Sequence, residues 1–180
     1  MRGCKLFLTG QPGSGKSTAF LRCVEGLRSS GLTVGGISTP ERRDQVRRLG
    51  FDVVNLDSGK RAVMAGVDMR SAARVGRYGV DVEVFELVAL PALEHAVEAC
   101  DVVGIDEIGR MELYSGAFRR MVESLMLELK PVVSVLHRAY VDIYGRHGTV
   151  YRVTLENRDG LPDVLVAEVL RHLGLAPDNF

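Results

Sequence analysis

The sequence lacks tryptophan altogether and has only three cysteines and six prolines among its 180 residues. The cysteines are far apart and form no C-x-x-C pair, which argues against a disulfide framework and against a cysteine-based zinc site. The formal net charge is +0 at pH 7, so we expect no long-range field that draws the chain to nucleic acid or to an anionic membrane. No apolar run approaches the length of a membrane span, which argues against a membrane protein.

The cysteines that are present lie in apolar segments. Cys4, Cys23 and Cys100 each have hydrophobic neighbours, so we expect free thiols buried as small apolar side chains. Free thiols persist in a reducing compartment, and we therefore predict a cytoplasmic location. The apolar residues near the N-terminus run directly into a glycine-rich loop. Cleavage there would destroy the loop, so we expect no secretory signal.

Short apolar runs alternate with segments of helical period along most of the chain. Strands are predicted at residues 5–9, 33–38, 101–106, 131–136 and 150–155, and helices at residues 16–29, 84–100, 117–129, 140–146 and 161–173. Pro91 is expected either to kink its helix or to begin a second one. The alternation predicts an α/β fold in which a mostly parallel sheet carries helices on both faces. With no repeat and no linker, we predict a single domain over residues 1–180.

The stretch between the second predicted strand and the next helix breaks this alternation. Residues 51–56 and 61–65 flank the turn sequence DSGK, which predicts a small β-hairpin inserted into the fold. Pro40 predicts a short helical turn before the hairpin. Residues 66–80 have mixed polarity and several glycines, and they predict a loop.

The sequence GQPGSGKST fits the phosphate-loop pattern G-x-x-x-x-G-K-[ST], also called Walker A, between a predicted strand and a predicted helix. Glycines let successive N–H groups turn inward, and the helix N-terminus adds a positive partial charge beside a bound anion. The predicted nucleotide-binding residues of this loop are Gly10, Gln11, Pro12, Gly13, Ser14, Gly15, Lys16, Ser17 and Thr18. Lys16 would bridge the β- and γ-phosphates in catalysis, and Ser17 would offer its hydroxyl to Mg²⁺.

Two acids follow the apolar residues of the third predicted strand. An acid at the carboxyl end of a buried strand is where a P-loop protein holds its metal ion, as in a Walker B motif, so Asp106 joins Ser17 as a predicted Mg²⁺ ligand. Glu107 is the predicted catalytic residue that orients or deprotonates an attacking water, and both acids would contact the nucleotide. The alternative is that the two acids only end a strand and cap the next turn.

Cations near the γ-phosphate would complete such a site. Arg110 follows Glu107 by three residues and is the predicted catalytic arginine, since phosphoryl transfer gains from positive charge at the γ-phosphate. Arg158 lies after the last predicted strand, where it would stack on any base without reading its edge. The other candidates are Arg43, Arg48, Arg146, a γ-phosphate sensor at His137, and Glu112 as a partner of Arg110. A structural or surface role is the alternative for each.

A cluster of four arginines lies within residues 42–48. It has no interleaved aromatic residues, and Glu41 and Asp44 are its natural ion-pair partners, so nucleic acid is a disfavoured partner. Residues 106–109, DEIG, fit the D-x-x-G element of GTPase switches, but the guanine-reading pattern N-K-x-D is absent. Guanine-specific switching is therefore disfavoured as well.

Several motifs occur in a distinctive order after the phosphate loop. They are RLGF at 48–51, YGVDVEVFE at 78–86, IDEIGRMEL at 105–113 and TLENRDGLP at 154–162. The whole set resembles the small nucleoside-triphosphatases first described from thermophiles, nucleotide-kinase-like P-loop NTPases with a human cancer-related relative. The resemblance implies Mg²⁺-dependent hydrolysis of ATP, GTP, CTP and UTP with little base selectivity. It also implies nucleotide contacts at residues 10–17 and 101–108.

Three functions are compatible with these motifs. Hydrolysis, with water as the acceptor, is favoured by Glu107 beside Asp106. A kinase would transfer the γ-phosphate to a small molecule or nucleotide, and it would need an acceptor pocket and an arginine-bearing lid, which residues 41–78 are long enough to supply. A nucleotide-dependent binding module would hydrolyse slowly and act through a partner.

Overall fold

A computed structural model describes residues 3–175, and its ten strands form one sheet. The strands are β1 (Lys5–Thr9), β2 (Val34–Ser38), β3 (Glu41–Arg43), β4 (Arg48–Asn55), β5 (Arg61–Gly66), β6 (Arg74–Val75), β7 (Tyr78–Val80), β8 (Val102–Ile108), β9 (Val132–Leu136) and β10 (Thr149–Arg152). The helices are α1 (Lys16–Ser29), α2 (Val82–Ala99), α3 (Gly116–Leu127), α4 (Val141–Tyr144) and α5 (Leu161–His172). Short 3-10 turns occur at Glu112–Tyr114, Arg138–Tyr140 and Gly145–His147.

The sheet has a parallel core and an antiparallel extension. Strands β10, β1, β9, β8 and β2 are neighbours in that order and pair in parallel. The sheet then continues through β4, β5, β7 and β6 with antiparallel pairing, and β3 also pairs with β4. The α/β fold class is therefore confirmed, and the predicted hairpin, β4–β5, is the centre of a larger five-stranded insertion.

Helices cover both faces of the parallel core, as predicted. Along β1 the side chains alternate, so that Leu6 and Leu8 pack on the layer containing α1 and α5. Phe7, between them, packs on the opposite layer with α2 and α3. A buried side chain of this size contributes roughly 1.5–3 kcal/mol through its removal from water. The two apolar layers fix the parallel strands with their carboxyl ends along one edge of the sheet.

Helix α2 is continuous through Pro91, so the prediction that this proline begins a second helix is wrong. Proline lacks the N–H that would bond the preceding turn, but α2 buries an apolar face that includes Phe85 and Leu93. The helix also begins two residues earlier than predicted. Asp81 is its N-cap, and its Oδ1 accepts a hydrogen bond from the Val84 amide at 3.0 Å.

The insertion differs from its prediction in two places. Pro40 is followed by strand β3 rather than by a helical turn, because Glu41 finds a pairing partner at Phe51 of β4. The predicted loop at residues 66–80 contains β6 and β7. One of its glycines has a packing role, since a Cβ at Gly79 would overlap the main-chain oxygen of Met69.

The cysteines are free thiols, as predicted. Cys23 and Cys100 are buried and Cys4 is half-buried, and burial raises the pKa of the Cys23 thiol to about 12. Within residues 3–175, no helix combines the length and the apolar character that crossing a membrane requires.

Candidate active site

The phosphate loop connects β1 to α1 at the positions that the sequence predicts. Its three glycines have positive φ, +153° at Gly10, +76° at Gly13 and +96° at Gly15, a backbone region that other residues rarely adopt. No acidic side chain lies in the first turn of α1, so its N-terminal amides face the loop without a competing carboxylate from the helix itself. The loop therefore has the geometry of an anion site.

The side chain of Lys16 folds over the phosphate loop towards its first residues. Its Nζ donates hydrogen bonds to the main-chain oxygens of Gly10, at 3.2 Å, and Gln11, at 2.9 Å. Burial lowers the pKa of the Lys16 ammonium, while the carboxylates of Glu107 and Asp106 raise it. The ammonium thus lies between the loop and the two acids, where a phosphate chain would bring further negative charge.

Asp106 is buried near the carboxyl end of β8, beside Ser17 at the start of α1. Burial raises the pKa of Asp106 to about 7, and a hydrogen bond from the Ser17 hydroxyl partly opposes that rise. A buried carboxylate and a hydroxyl are hard oxygen ligands, and they fit Mg²⁺, which keeps waters and phosphate oxygens in the rest of its shell. Residues 3–175 contain no group of three or more His, Cys, Asp or Glu side chains placed to hold a metal.

A second pair of carboxyl groups converges beside Asp106. A Cβ added at Gly109 would lie 2.5 Å from Glu107 Oε1 and 2.8 Å from Glu112 Oε2, so both side chains approach this glycine. Burial raises the pKa of Glu107, and Lys16 opposes the rise. Burial and the neighbouring Glu107 raise the pKa of Glu112 to about 8. Near neutral pH, Glu107 and Glu112 together therefore carry fewer than two negative charges.

Glu112 is buried, so a surface ion pair is wrong for this residue. Its hydrogen-bond partner is Thr39 rather than Arg110, with Thr39 Oγ1 at 3.1 Å from Glu112 Oε1. The Thr39 hydroxyl also donates to the main-chain oxygen of Asp106 at 2.8 Å. Thr39, which the sequence motifs did not indicate, thus connects the end of β2 to residues 106–112, which we call the catalytic segment.

We expect this burial to make the stability of the nucleotide-free protein depend on pH through Glu112. The folded pKa, about 8, lies above the ordinary value of 4.5, so the folded state holds the proton more tightly and loses stability as pH rises between these values. Glu112→Gln, which stays neutral, should flatten the decline of the melting temperature from pH 5 to 9. Exposed Glu98→Gln is the control, and identical slopes for Glu112→Gln and wild type would contradict the prediction.

Basic side chains from two loops face the acids. Arg110 is exposed at the mouth of the cleft, and His137 is half-buried after β9. Burial lowers the pKa of His137, and nearby Arg110, Arg138 and Lys16 lower it further. Arg138 was not predicted, although it lies only two residues after the end of β9. Its Nη1 donates to Gln11 Oε1 at 2.9 Å and so holds the guanidinium against the phosphate loop.

Arg158 lies over the opposite side of the phosphate loop. A Cβ at Gly15 would be 3.0 Å from Arg158 Cδ, so the glycine makes room for the arginine side chain. Asn157 shapes this loop, because its Oδ1 accepts from the Thr154 amide at 2.8 Å and its Nδ2 donates to the Arg152 carbonyl at 2.9 Å. The stacking of Arg158 on a base stays a prediction.

One cleft of about 770 Å³ joins these groups. Of the predicted residues it is lined by Gly10, Pro12, Gly13, Gly15, Lys16, Ser17, Thr18, Arg48, Asp106, Glu107, Arg110, Glu112, His137 and Arg158. Gln11 and Ser14 belong to the loop but do not line the cleft. Arg146 lies at the other end of β1, on a separate cavity beside Cys4, and so is not part of this site.

The cluster of arginines is neutralised only partly as predicted. Glu41 pairs with Arg43, at 2.8 Å, and with Arg48. Asp44 makes no such pair in the described residues. Its Oδ1 instead accepts from the amides of residues 46 and 47, at 2.8 and 2.5 Å, and closes the turn between β3 and β4. Arg42 pairs with Asp52 at 3.4 Å.

Comparison with known proteins identifies the family of this chain. A family model described as NTPase matches residues 5–166. Nucleoside-triphosphatase THEP1 of Methanocaldococcus jannaschii is 35% identical over 169 residues, which cover 94% of this chain and 99% of that protein. Nucleoside-triphosphatase THEP1 of Pyrococcus abyssi is 39% identical over 170 residues, which cover 94% of each protein.

Solved structures share the fold. The crystal structure of THEP1 from the hyperthermophile Aquifex aeolicus matches with a TM-score of 0.80 and 32% identity, over 92% of this chain and 98% of that one. The solution structure of a human cancer-related nucleoside triphosphatase matches with a TM-score of 0.75 and 38% identity, over 93% and 97% of the two chains. The resemblance seen in the motifs is confirmed, and the chain belongs to the NTPase family of nucleoside-triphosphatases.

Proposed function

We propose that this chain hydrolyses ATP, GTP, CTP and UTP to the diphosphate and phosphate, with Mg²⁺ and with a water held by Glu107. The observation that carries the proposal is the placement of Glu107, which lines the same cleft as the phosphate loop, directly beside Asp106 and opposite Lys16. Family membership supports nucleoside-triphosphatase activity in general. The choice of water as acceptor rests on the carboxylate.

The phosphate chain would bind along the loop and the start of α1. Main-chain amides and the helix N-terminus attract the anion, and Lys16 would exchange the carbonyls of Gly10 and Gln11 for phosphate oxygens. The exchange suits a lysine, whose ammonium is a compact charge on a flexible stem. The loop thus positions the γ-phosphate towards the acids at the end of β8.

Ser17 and Asp106 would hold Mg²⁺ beside the β- and γ-phosphates. When bound, this ion would neutralise negative charge on the phosphate oxygens. Burial raises the pKa of Asp106 to about 7 without the ion. Asp106 would therefore be stabilised in its ionised form by a bound cation.

Glu107 has the chemistry of a proton acceptor for the attacking water. Burial raises its pKa towards the working pH, which is where general bases are most effective. Arg110 and Arg138 line the same cleft, and their charges would offset the charge that develops on the γ-phosphate. Glu107 would therefore act on the water and the arginines on the transferred group.

Low base selectivity would follow from Arg158. Its side chain packs over Gly15, and a guanidinium plane stacks on any nucleobase without distinguishing its hydrogen-bonding edge. We accordingly expect the four ribonucleoside triphosphates to differ little in kcat/KM.

The experiment that tests the proposal measures phosphate release by the isolated protein. We expect turnover of ATP, GTP, CTP and UTP with kcat/KM values within about tenfold of one another, a spread of about 1.4 kcal/mol. Chelation of Mg²⁺ should abolish turnover, and its return should restore it. No turnover with any of the four in the presence of Mg²⁺ would favour the nucleotide-dependent binding module instead. Activity that survives chelation would contradict the metal site.

A further inference from the structure

The cleft extends beyond the acids into a part that nucleotide hydrolysis does not use. We call this part the insertion compartment, and its walls are Pro40, Glu41, Arg48, Phe51, Val75, Gly76, Tyr78 and Met111. Most of these residues belong to strands β3, β4, β6 and β7 or to the turns beside them. The compartment and the phosphate loop therefore line one cleft, together with Asp106 and Glu107.

The base of a nucleotide bound on the phosphate loop would lie outside the insertion compartment. Arg158, which would stack on the base, packs over Gly15 of the phosphate loop. The insertion compartment begins at Pro40, next to Thr39, whose hydroxyl donates to the main-chain oxygen of Asp106, so it adjoins the acids rather than Gly15. A triphosphate whose base contacts Arg158 and whose γ-phosphate lies at the two acids would leave the compartment open.

Two aromatic rings and a guanidinium form a wall of the compartment that suits a flat ring. The rings of Phe51 and Tyr78 have centroids 5.3 Å apart and meet edge to face at 77°. The guanidinium of Arg48 lies 5.8 Å from the centre of the Phe51 ring. Aromatic and guanidinium surfaces together are the surfaces on which nucleobases and similar rings stack.

Polar groups beside this wall are available to a ring with polar edges. Arg48 Nε is buried and has no hydrogen-bond acceptor among residues 3–175, although the same guanidinium pairs with Glu41. A buried donor without an acceptor costs free energy, which a ligand that supplies the acceptor recovers. Glu41 is the cross-strand partner of Phe51, so the carboxylate lies beside the aromatic wall.

One hydrogen bond joins the compartment to the segment that follows β8, and a second joins two parts of the insertion. The Tyr114 hydroxyl donates to the carbonyl of Arg74 at 2.7 Å, which joins β6 to the turn that follows β8. Arg77 Nη2 donates to the carbonyl of Arg48 at 3.0 Å, which joins the β6–β7 turn to β4. Met111, which lies in the catalytic segment next to Glu112, lines the compartment as well.

We propose that the insertion compartment binds a ribonucleoside and that the chain transfers the γ-phosphoryl group to a hydroxyl of this acceptor, in competition with water. A ribonucleoside combines the two features that the walls would contact, a flat ring and polar edges, with the hydroxyl groups that phosphoryl transfer requires. The proposal rests on the proposed function, because the triphosphate site and Glu107 are shared by both reactions.

The transfer balances without a further reactant. The bond between the γ-phosphorus and the β,γ-bridging oxygen breaks, and the diphosphate leaves with that electron pair. A bond forms between the γ-phosphorus and the acceptor oxygen, and the hydroxyl proton passes to the Glu107 carboxylate. The products are a nucleoside diphosphate and a phosphomonoester of the acceptor.

The test follows γ-labelled ATP with Mg²⁺ and adenosine, guanosine, cytidine or uridine, each at about 1 mM, the upper end of ordinary KM values. Chromatography separates labelled nucleoside monophosphate from free phosphate. We expect at least one ribonucleoside to give the labelled monophosphate. Free phosphate equal to the diphosphate formed in all four reactions would overturn the inference and leave hydrolysis standing. Absence of diphosphate in every reaction would overturn both, whereas diphosphate formed only with an acceptor would support transfer and contradict hydrolysis.

Variants show whether the acceptor uses this compartment. Arg48→Gln and Phe51→Leu should lower the ratio of labelled monophosphate to free phosphate by at least about tenfold, as expected for the loss of a stacking wall. The matched control is Arg47→Gln, at an exposed neighbour that does not line the cleft. The ratio is internal to each reaction, so partial unfolding does not affect it. Equal ratios in all three variants and the wild type would overturn the assignment.

Discussion

Replacement of Glu107 with glutamine is expected to lower kcat for triphosphate hydrolysis by about 100- to 10,000-fold, the range over which a positioned general base acts. The amide keeps the shape of the side chain but cannot take a proton from water. Nucleotide affinity should be unchanged or tighter, because a carboxylate that repels the γ-phosphate has been removed. Phosphate release gives kcat, and calorimetric titration with a non-hydrolysable triphosphate gives the affinity.

Two further carboxyl variants make that result specific. Glu98→Gln changes an exposed acid on α2 and should have wild-type activity. Glu112→Gln changes the other acid that approaches Gly109, and it should affect kcat far less than Glu107→Gln because Glu112 is buried against Thr39. If Glu107→Gln retained wild-type kcat while Glu112→Gln lost it, the assignment of the water to Glu107 would be wrong.

Replacement of Lys16 with alanine is expected to lower kcat/KM by at least about 100-fold, as for the loss of one preorganised charge at a transition state. The ammonium lies between the loop carbonyls and the two acids, and no other lysine is among the residues that line the cleft. Stability should change by only about 1 kcal/mol, since the two hydrogen bonds lost are to main-chain oxygens at a solvent-filled cleft. Steady-state kinetics and thermal unfolding measure the two quantities.

The control for Lys16 is Lys60→Ala, in the exposed turn between β4 and β5. Lys16→Arg should restore little activity, because a planar guanidinium does not fit where a compact ammonium bonds two carbonyls. Wild-type kcat/KM in Lys16→Ala would contradict phosphate binding by this loop. Hydrolysis, phosphoryl transfer and nucleotide-dependent binding all require Lys16, so this variant tests the site, whereas Glu107→Gln tests the chemistry.

The parallel core could be predicted from local patterns. Each of its strands is a short apolar run, and each helix beside it repeats its apolar residues with helical period. Lys5–Thr9 and Lys16–Ser29 agree with their predicted bounds. Both patterns arise because one face of a segment is buried against a neighbouring layer. Each strand or helix can therefore be predicted from its own residues.

The insertion could not be predicted in the same way. Strands β3, β6 and β7 are two or three residues long and carry little apolar pattern, so their extended form depends on partners elsewhere in the chain. Gly79 was taken as a sign of a loop, but it allows the close approach of Met69 to a strand. Pro91 was expected either to kink its helix or to begin a second one, but α2 is continuous because burial of its apolar face outweighs the lost hydrogen bond.

Motif spacing by itself determined the phosphate loop, the acids after the third core strand and the family, because these features depend on residues adjacent in sequence. Only the tertiary structure decided what surrounds them. Thr39, Arg138 and the aromatic pair of Phe51 and Tyr78 come from four separate segments and meet at the cleft through strand pairing and packing. Burial of Glu112, which no local pattern indicates, likewise follows from the layers that close over the end of β8. Sequence thus specifies the groups that bind the phosphates, whereas long-range contacts specify what else the cleft can hold.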